Sequence, residues 1–269
     1  MNKKIGVLGC GWLGLPLAKT LLEKGYKVYG TTSTQTKLAT LKAEGIESYS
    51  ILLSETRIEG DIQDFLSNID VLIVNIPPRL RGSNNESFVA KMKLLQNALT
   101  NASVENVLFI SSTAVYGDVS GEVTEETIPR PSTASGTQLL QVENLLRDNP
   151  SFRTTVIRFG GLVGPQRNPT TMLSGKESLS NGNDPINLIH LNDCIQMICT
   201  ILEKGYWNQL FNGVYPYHPQ KKDFYTEQAL KLGIPAPTYL DNPKRQAGKI
   251  VLSQNFLNKS HFFYTPIDT

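Results

Sequence analysis

Short apolar runs alternate with stretches of helical periodicity along most of the chain. Lys3 to Leu8 is an apolar run that ends at glycines, and Leu13, Leu17, Leu21 and Leu22 then recur at helical spacing up to Gly25. This predicts strand, glycine-rich turn and helix. The alternation continues with strands over Lys27 to Tyr29, Ile46 to Leu52, Val71 to Val74 and Val107 to Ile110. Helices are predicted between them over Lys37 to Ala43, Ile62 to Leu66 and Phe88 to Leu99. A further helix from Leu139 to Arg147 precedes an apolar run from Thr154 to Arg158, the sixth strand by this reading. Strands alternating with helices imply crossover units and a parallel sheet.

The character changes after Phe159. Gly164-Pro165 through Pro185 is rich in Gly, Pro, Ser, Asn and Thr, which suits loops better than another crossover. Ile186 to Ile189 is strand-like and Leu191 to Leu202 strongly amphipathic, so the layered pattern is expected to resume there. From Leu210 follow a short strand, a helix around Asp223 to Leu232, a proline-broken stretch from Pro235 to Pro243 and a last strand at Lys249 to Leu252. The expected fold is α/β: a doubly wound parallel sheet with a small discontinuous C-terminal α/β cap. Residues 1–163 form the main domain, 186–204 return to it, and 164–185 and 205–269 build the smaller lobe.

Composition narrows the function. With 26 Lys plus Arg against 24 Asp plus Glu the formal charge is +2, and no long block of like charge stands out. Nucleic-acid and membrane-surface roles gain no support. The apolar runs are strand length, far short of the ~20 residues that span a bilayer, and glycines break the first run before a secretory apolar core forms. A cytoplasmic location is expected. The three cysteines, Cys10, Cys194 and Cys199, form no metal-ligand spacing with the histidines, so reduced thiols and no metal are expected.

The first turn is Gly9-Cys10-Gly11-Trp12-Leu13-Gly14, a G-x-G-x-x-G between a predicted strand and a predicted helix. There the first glycine makes the tight turn, the second lets backbone approach a pyrophosphate, and the third lets helix pack on strand. The pyrophosphate would sit on the N–H groups at the helix start, where the dipole favours negative charge. A nicotinamide dinucleotide site of this type that selects NAD offers a carboxylate about 20 residues on, for the ribose 2′-hydroxyl. No Asp or Glu occurs between Glu23 and Glu44. The hydroxyls of Thr32, Ser33 and Thr34, with Lys37 nearby, suit a 2′-phosphate instead, so NADP is expected over NAD. The same hydroxyls also suit an N-cap for the next helix. After the fourth strand, Asn75-Ile76-Pro77-Pro78 stiffens the backbone where ribose and nicotinamide would pass, which makes Ile76 and Pro77 cofactor candidates. Arg79 and Arg81 then form either a cationic rim for an anionic substrate or a solvated loop.

The fifth strand runs into Ser111-Ser112-Thr113-Ala114-Val115-Tyr116-Gly117 at the carboxyl edge of the sheet, and here the chain resembles the extended short-chain dehydrogenase/reductase superfamily. Arg158-Phe159-Gly160-Gly161-Leu162-Val163-Gly164-Pro165 and Ile189-His190-Leu191-Asn192-Asp193 are similar to two further motifs of that family, in the same order. The resemblance implies a Rossmann dinucleotide-binding domain, NAD-dependent epimerase/dehydratase-like chemistry, Ser111 near the cofactor and Ser112 as the catalytic-site serine. Members with redox or epimerase chemistry carry Tyr-x-x-x-Lys on the helix after the fifth strand. Here Pro131, Gly136 and Glu143 keep that spacing, but Ser135 replaces the Tyr and Leu139 the Lys. That Tyr acts as an acid only because the adjacent ammonium lowers its pKa, so the chain is similar to atypical members that have lost the pair.

Other residues stay open between roles. Ser112 either hydrogen-bonds a ligand oxygen or caps backbone at the strand end; Tyr116 is expected in the core. Asp193 is expected as the N-terminal carboxylate of its helix, and His190 as a polar anchor between lobes. Tyr215-Pro216-Tyr217-His218-Pro219 forms a rigid aromatic turn on the substrate side or in the packing. Two functions compete: an NADP-dependent oxidoreductase or epimerase acting on a small metabolite, and a non-catalytic NADP(H) sensor acting through a protein partner. A β-hydroxyacid-type dehydrogenase is disfavoured, because its second domain is largely helical and this C-terminus is short and proline-broken. A homodimer is the expected assembly.

Overall fold

The computed structural model describes residues 3–78, 86–241 and 246–268. Seven strands form one parallel sheet: β1 (Lys4–Leu8), β2 (Lys27–Thr32), β3 (Glu47–Ser50), β4 (Val71–Val74), β5 (Asn106–Ser112), β6 (Arg153–Phe159) and β7 (Leu210–Gly213), in the order β7-β6-β5-β4-β1-β2-β3. The helices are α1 (Gly14–Glu23), α2 (Lys37–Ala43), α3 (Ile62–Ser67), α4 (Phe88–Thr100), α5 (Ala134–Arg147), α6 (Pro169–Leu173), α7 (Leu191–Lys204), α8 (Lys221–Leu232) and α9 (Gln254–Leu257).

All four residues of β4 are buried, because helices cover both sheet faces. Its side chains divide by parity. Leu72 and Val74 share one apolar cluster with Phe65 of α3, Met92 of α4 and Val142 of α5, whereas Val71 and Ile73 share another with Leu17 of α1, Leu41 of α2 and Ile198 of α7. A third, smaller apolar cluster includes Val163, Leu188, Phe224 and Ile267. The chain runs outward from β1 through β2 to β3, then crosses to the other side of β1 for β4. That reversal leaves a crevice at the carboxyl ends of β1 and β4, where open α/β sheets bind ligands.

The structure corrects two expectations. Leu210–Gly213, placed in the smaller lobe from the sequence, is the seventh strand of the main sheet and pairs with β6 from Leu210 opposite Val156 to Gly213 opposite Phe159. Because β7 occupies that edge, the strand expected at Ile186 to Ile189 does not extend the sheet. Leu188–His190 pairs instead with Gly161–Val163 as a separate parallel ladder. The last strand, Lys249–Val251, pairs in parallel with Gly121–Val123, so the C-terminal segment returns to the loop beyond β5.

Candidate functional site

The glycine turn is pinned from both neighbouring strands. The Gly9 N–H donates to the Thr31 hydroxyl of β2 at 3.0 Å, the Cys10 N–H to the Thr31 carbonyl at 2.8 Å, and the Asn75 amide donates to the Gly9 carbonyl at 3.0 Å. Gly9 has φ +103°, and a Cβ there would lie 2.8 Å from both the Asn75 oxygen and the Ile76 methyl. A Cβ on Gly14 would lie 2.1 Å from the Gly9 oxygen. Gly11 differs: a Cβ there would meet nothing within 4 Å. The first and third glycines are therefore required by the protein itself, and the second faces open space that suits a bulky anion approaching the backbone. Leu13, the cap residue of α1, makes no side-chain capping bond and no acidic residue lies in the first turn, so the positive helix end carries no counter-charge of its own.

Trp12 turns away from this cradle toward Pro165. Its indole N–H donates to the Pro165 carbonyl at 2.8 Å, and the Arg167 guanidinium lies 5.1 Å from its ring centre. Leu13 is buried in the core, so only its backbone faces the turn. At the end of β2, the Thr32 hydroxyl accepts the Thr34 N–H at 3.1 Å, while Ser33, Thr34 and Lys37 are exposed. The expected capping of α2 by this cluster is not made; Thr36 is the cap residue and contributes no side-chain bond. Ile76 packs half-buried beside Gly9, and Pro77 is exposed. Arg79 and Arg81 lie outside the described residues.

The two serines at the end of β5 face different tasks. The Ser112 hydroxyl accepts the Ala114 N–H at 3.2 Å and caps the one-turn 3-10 helix Thr113–Tyr116, with its side chain half-buried at the cleft. Ser111 is buried at the strand end. Its hydroxyl donates to Glu143 of α5 at 2.5 Å inside the protein, where Glu143 also binds the Arg158 guanidinium at 2.6 Å. Arg158 lies 4.8 Å over the Tyr116 ring, and the Tyr116 hydroxyl donates to Asn212 of β7 at 2.8 Å. Burial pushes the Tyr116 phenol upward against the opposing Arg158 charge, and the ring is fully buried in the core. Ser135 is half-buried in the first turn of α5, and Leu139, 5% exposed, belongs to the core with Val115 and Val142.

His190 caps α7, its Nδ1 accepting the Asn192 N–H at 3.2 Å, and burial lowers its pKa, with Asp193 opposing. The imidazole is thus held neutral, as an acceptor must be. Asp193 lies in the first turn of α7, as expected, and its buried carboxylate also accepts the Tyr264 N–H at 3.1 Å and both the N–H and hydroxyl of Thr265, fastening the C-terminal segment to α7. Thr31, Asn75, Asn212 and Lys249 were not singled out by the sequence. Thr31, beside the flagged Thr32, and Asn75, beside the flagged Ile76-Pro77, stood near a visible signal.

A parallel sheet with its reversal at β1 and β4, and a G-x-G-x-x-G turn opening onto that crevice, define a dinucleotide-binding type of α/β protein. More narrowly, the chain belongs to the NAD dependent epimerase/dehydratase family, whose model matches residues 5–212. It is 33% identical over 263 residues to Protein YeeZ of Escherichia coli strain K12, covering 97% of this chain and 96% of that protein. It is also 25% identical over 230 residues to an uncharacterized UDP-glucose epimerase, YtcB, of Bacillus subtilis, covering 75% and 73%. Among solved structures, UDP-glucuronic acid 4-epimerase from Bacillus cereus in complex with NAD superposes with a TM-score of 0.78 at 18% identity, covering 98% of this chain and 95% of that one. UDP-glucose 4-epimerase of Thermotoga maritima gives 0.79 at 16%, with the same coverage. At these identities the two structures establish the fold alone. No helix among the described residues is long and apolar enough to cross a membrane.

Proposed function

We propose that the chain binds a nicotinamide dinucleotide at the carboxyl ends of β1 and β4, holds NADP(H) more tightly than NAD(H), and acts as an oxidoreductase or epimerase on a small metabolite of the sugar-nucleotide type. The open position at Gly11, between two glycines that tolerate no side chain, carries this reading. When bound, the dinucleotide supplies hydride exchange. The backbone of Gly11, Trp12 and Leu13 at the start of α1 balances the pyrophosphate charge. Ser33, Thr34 and Lys37, exposed and free of any neighbouring carboxylate in the sequence up to Glu44, suit a 2′-phosphate. The similar B. cereus epimerase was solved with NAD, so the preference for NADP(H) rests on these residues and not on that likeness.

Ser112 accepts the Ala114 N–H and keeps its own hydroxyl proton to hold a substrate oxygen. Neither Leu139 nor an unactivated Ser135 exchanges a proton near neutral pH, so the proton comes from the substrate, water or another group. Equilibrium titration with NADPH and NADH, read by Trp12 quenching, tests the proposal. Tighter binding of NADH refutes the NADP preference, and binding of neither refutes the cofactor reading. The second reading, a dinucleotide-binding sensor, draws on the burial of Leu139 where a catalytic lysine would stand. Turnover of any sugar nucleotide with loss of NADPH absorbance excludes it.

A further inference from the structure

The ammonium of Lys249 reaches from the C-terminal segment to the end of the turn that Ser112 begins. Its Nζ donates to the Gly117 carbonyl at 2.5 Å. Gly117 closes that turn, its N–H donating to Ala114 at 3.2 Å, and the same turn packs on the start of α5, where a Cβ on Gly136 would lie 2.7 Å from the Ala114 oxygen. The turn from Ser112 to Gly117 thus carries a lysine supplied from the far end of the sequence, while α5 supplies none at Leu139. An ammonium has three N–H donors, and among the described residues Lys249 uses its donors only on Gly117, with no carboxylate within 4 Å. The side chain is half-buried, and the strand Lys249–Val251 is held by Asn187, whose amide donates to the Lys249 carbonyl at 2.8 Å and accepts the Val251 N–H at 2.7 Å.

A half-buried cation resting on a neutral carbonyl is costly unless a partner arrives. Among the described residues, the charges that face it are Asp118, Asp184 and Lys221. Asp184 is engaged by the Lys221 ammonium at 3.4 Å and by the Gly248 N–H at 3.0 Å, so it is shared before it reaches Lys249. We propose that Lys249 is a substrate-binding residue that takes an oxyanion, a phosphate or carboxylate of the substrate, at the Gly117 end of the cleft, with Lys221 as a second, weaker cation. This rests on the cofactor reading above, because that reading places the substrate beside Ser112. Burial lowers the Lys249 pKa, Asp118 and Asp184 opposing and Lys221 adding to the fall. Binding of the oxyanion is therefore expected to weaken with rising pH earlier than an ordinary lysine would give.

The test is calorimetric titration of the NAD-saturated protein with UDP in one arm and glucuronate in the other, which separates phosphate from carboxylate as the anion bound. Wild type should bind at least one. Lys249→Met should weaken that binding at least tenfold, Lys249→Arg should retain most of it, and Lys221→Met should lose only a few-fold because Asp184 already neutralises that charge. Lys249→Gln and melting temperatures guard against a folding defect in the methionine variant. Equal affinity in wild type and both neutral variants overturns the inference, as does a wild type that binds NAD but neither anion. Failure to bind NAD or NADP overturns the cofactor reading and this inference with it.

Discussion

Placing one methyl group at Gly11 or at Gly14 should have opposite consequences, although the two glycines stand three residues apart in one motif. For Gly14→Ala the new Cβ would fall 2.1 Å from the Gly9 carbonyl oxygen and 2.9 Å from the Asn75 amide, where an ordinary contact begins at 3.4 Å. Relief requires α1 to move off β1 by about 1 Å, and overpacking of that size costs about 1–3 kcal/mol, more than the helix-propensity gain of about 1 kcal/mol for replacing glycine. The Asn75 bond to the Gly9 carbonyl is strained by the same shift. For Gly11→Ala the Cβ meets nothing within 4 Å, so stability should stay level or rise by about 0.4–1 kcal/mol through the stiffer unfolded chain. The methyl group instead occupies the approach of the pyrophosphate. Losing two charge-assisted hydrogen bonds worth about 1.5 kcal/mol each corresponds to roughly a hundredfold weaker dinucleotide binding. Urea unfolding measures the first quantity and Trp12 fluorescence titration the second. Gly11→Ala that unfolds as readily as Gly14→Ala, or that binds NADPH as wild type does, would refute the assignment of the open space to a cofactor.

Three further outcomes follow from the geometry. Asp193→Ala removes a buried acceptor of the Tyr264 and Thr265 N–H groups, so stability should fall by about 2–3 kcal/mol; limited proteolysis should cut first in the C-terminal segment, with NADPH affinity unchanged. Glu125 is buried, with Oε1 accepting the Asn212 and Asn255 N–H groups and Oε2 without a protein partner among the described residues. Burial raises its pKa against the opposing backbone bonds, so the folded state holds the proton more tightly than the unfolded chain. Its contribution is fully present below the ordinary carboxylate pKa and is lost as pH rises through the folded value. Melting temperature should accordingly fall less between pH 4 and neutrality in Glu125→Gln than in wild type, and an unchanged slope counts against the buried carboxyl. Finally, wild type should reduce simple ketones slowly or not at all. Ser135→Tyr with Leu139→Lys should tighten NADPH binding and raise that rate, while lowering stability, because Leu139 is a core side chain. Brisk ketone reduction by wild type that survives Ser112→Ala would place the acid elsewhere.

The alternation of apolar runs and helical periodicity determined the crossover layout, because strands covered on both faces must be apolar throughout: Val71–Val74 and the helix Lys37–Ala43 lie where the pattern put them. The glycine turn was legible for the same local reason, since its steric demand falls on Gly9 and Gly14 within one six-residue stretch. Leu210–Gly213 was not, because four residues carry too little periodicity to say which edge they join; that was decided by the free side of β6. Serines 111 and 112 look alike in sequence, yet strand alternation sends one to Glu143 within the protein and leaves the other at the cleft. The place of Asp193 at a helix start was legible, but not that the C-terminal segment, 71 residues on, would supply its partners. Lys249 was legible only as the start of a strand: its place at Gly117, across 132 residues, exists because Lys249–Val251 pairs with Gly121–Val123, and long-range pairing of that kind is set by the packed tertiary structure and not by neighbouring sequence.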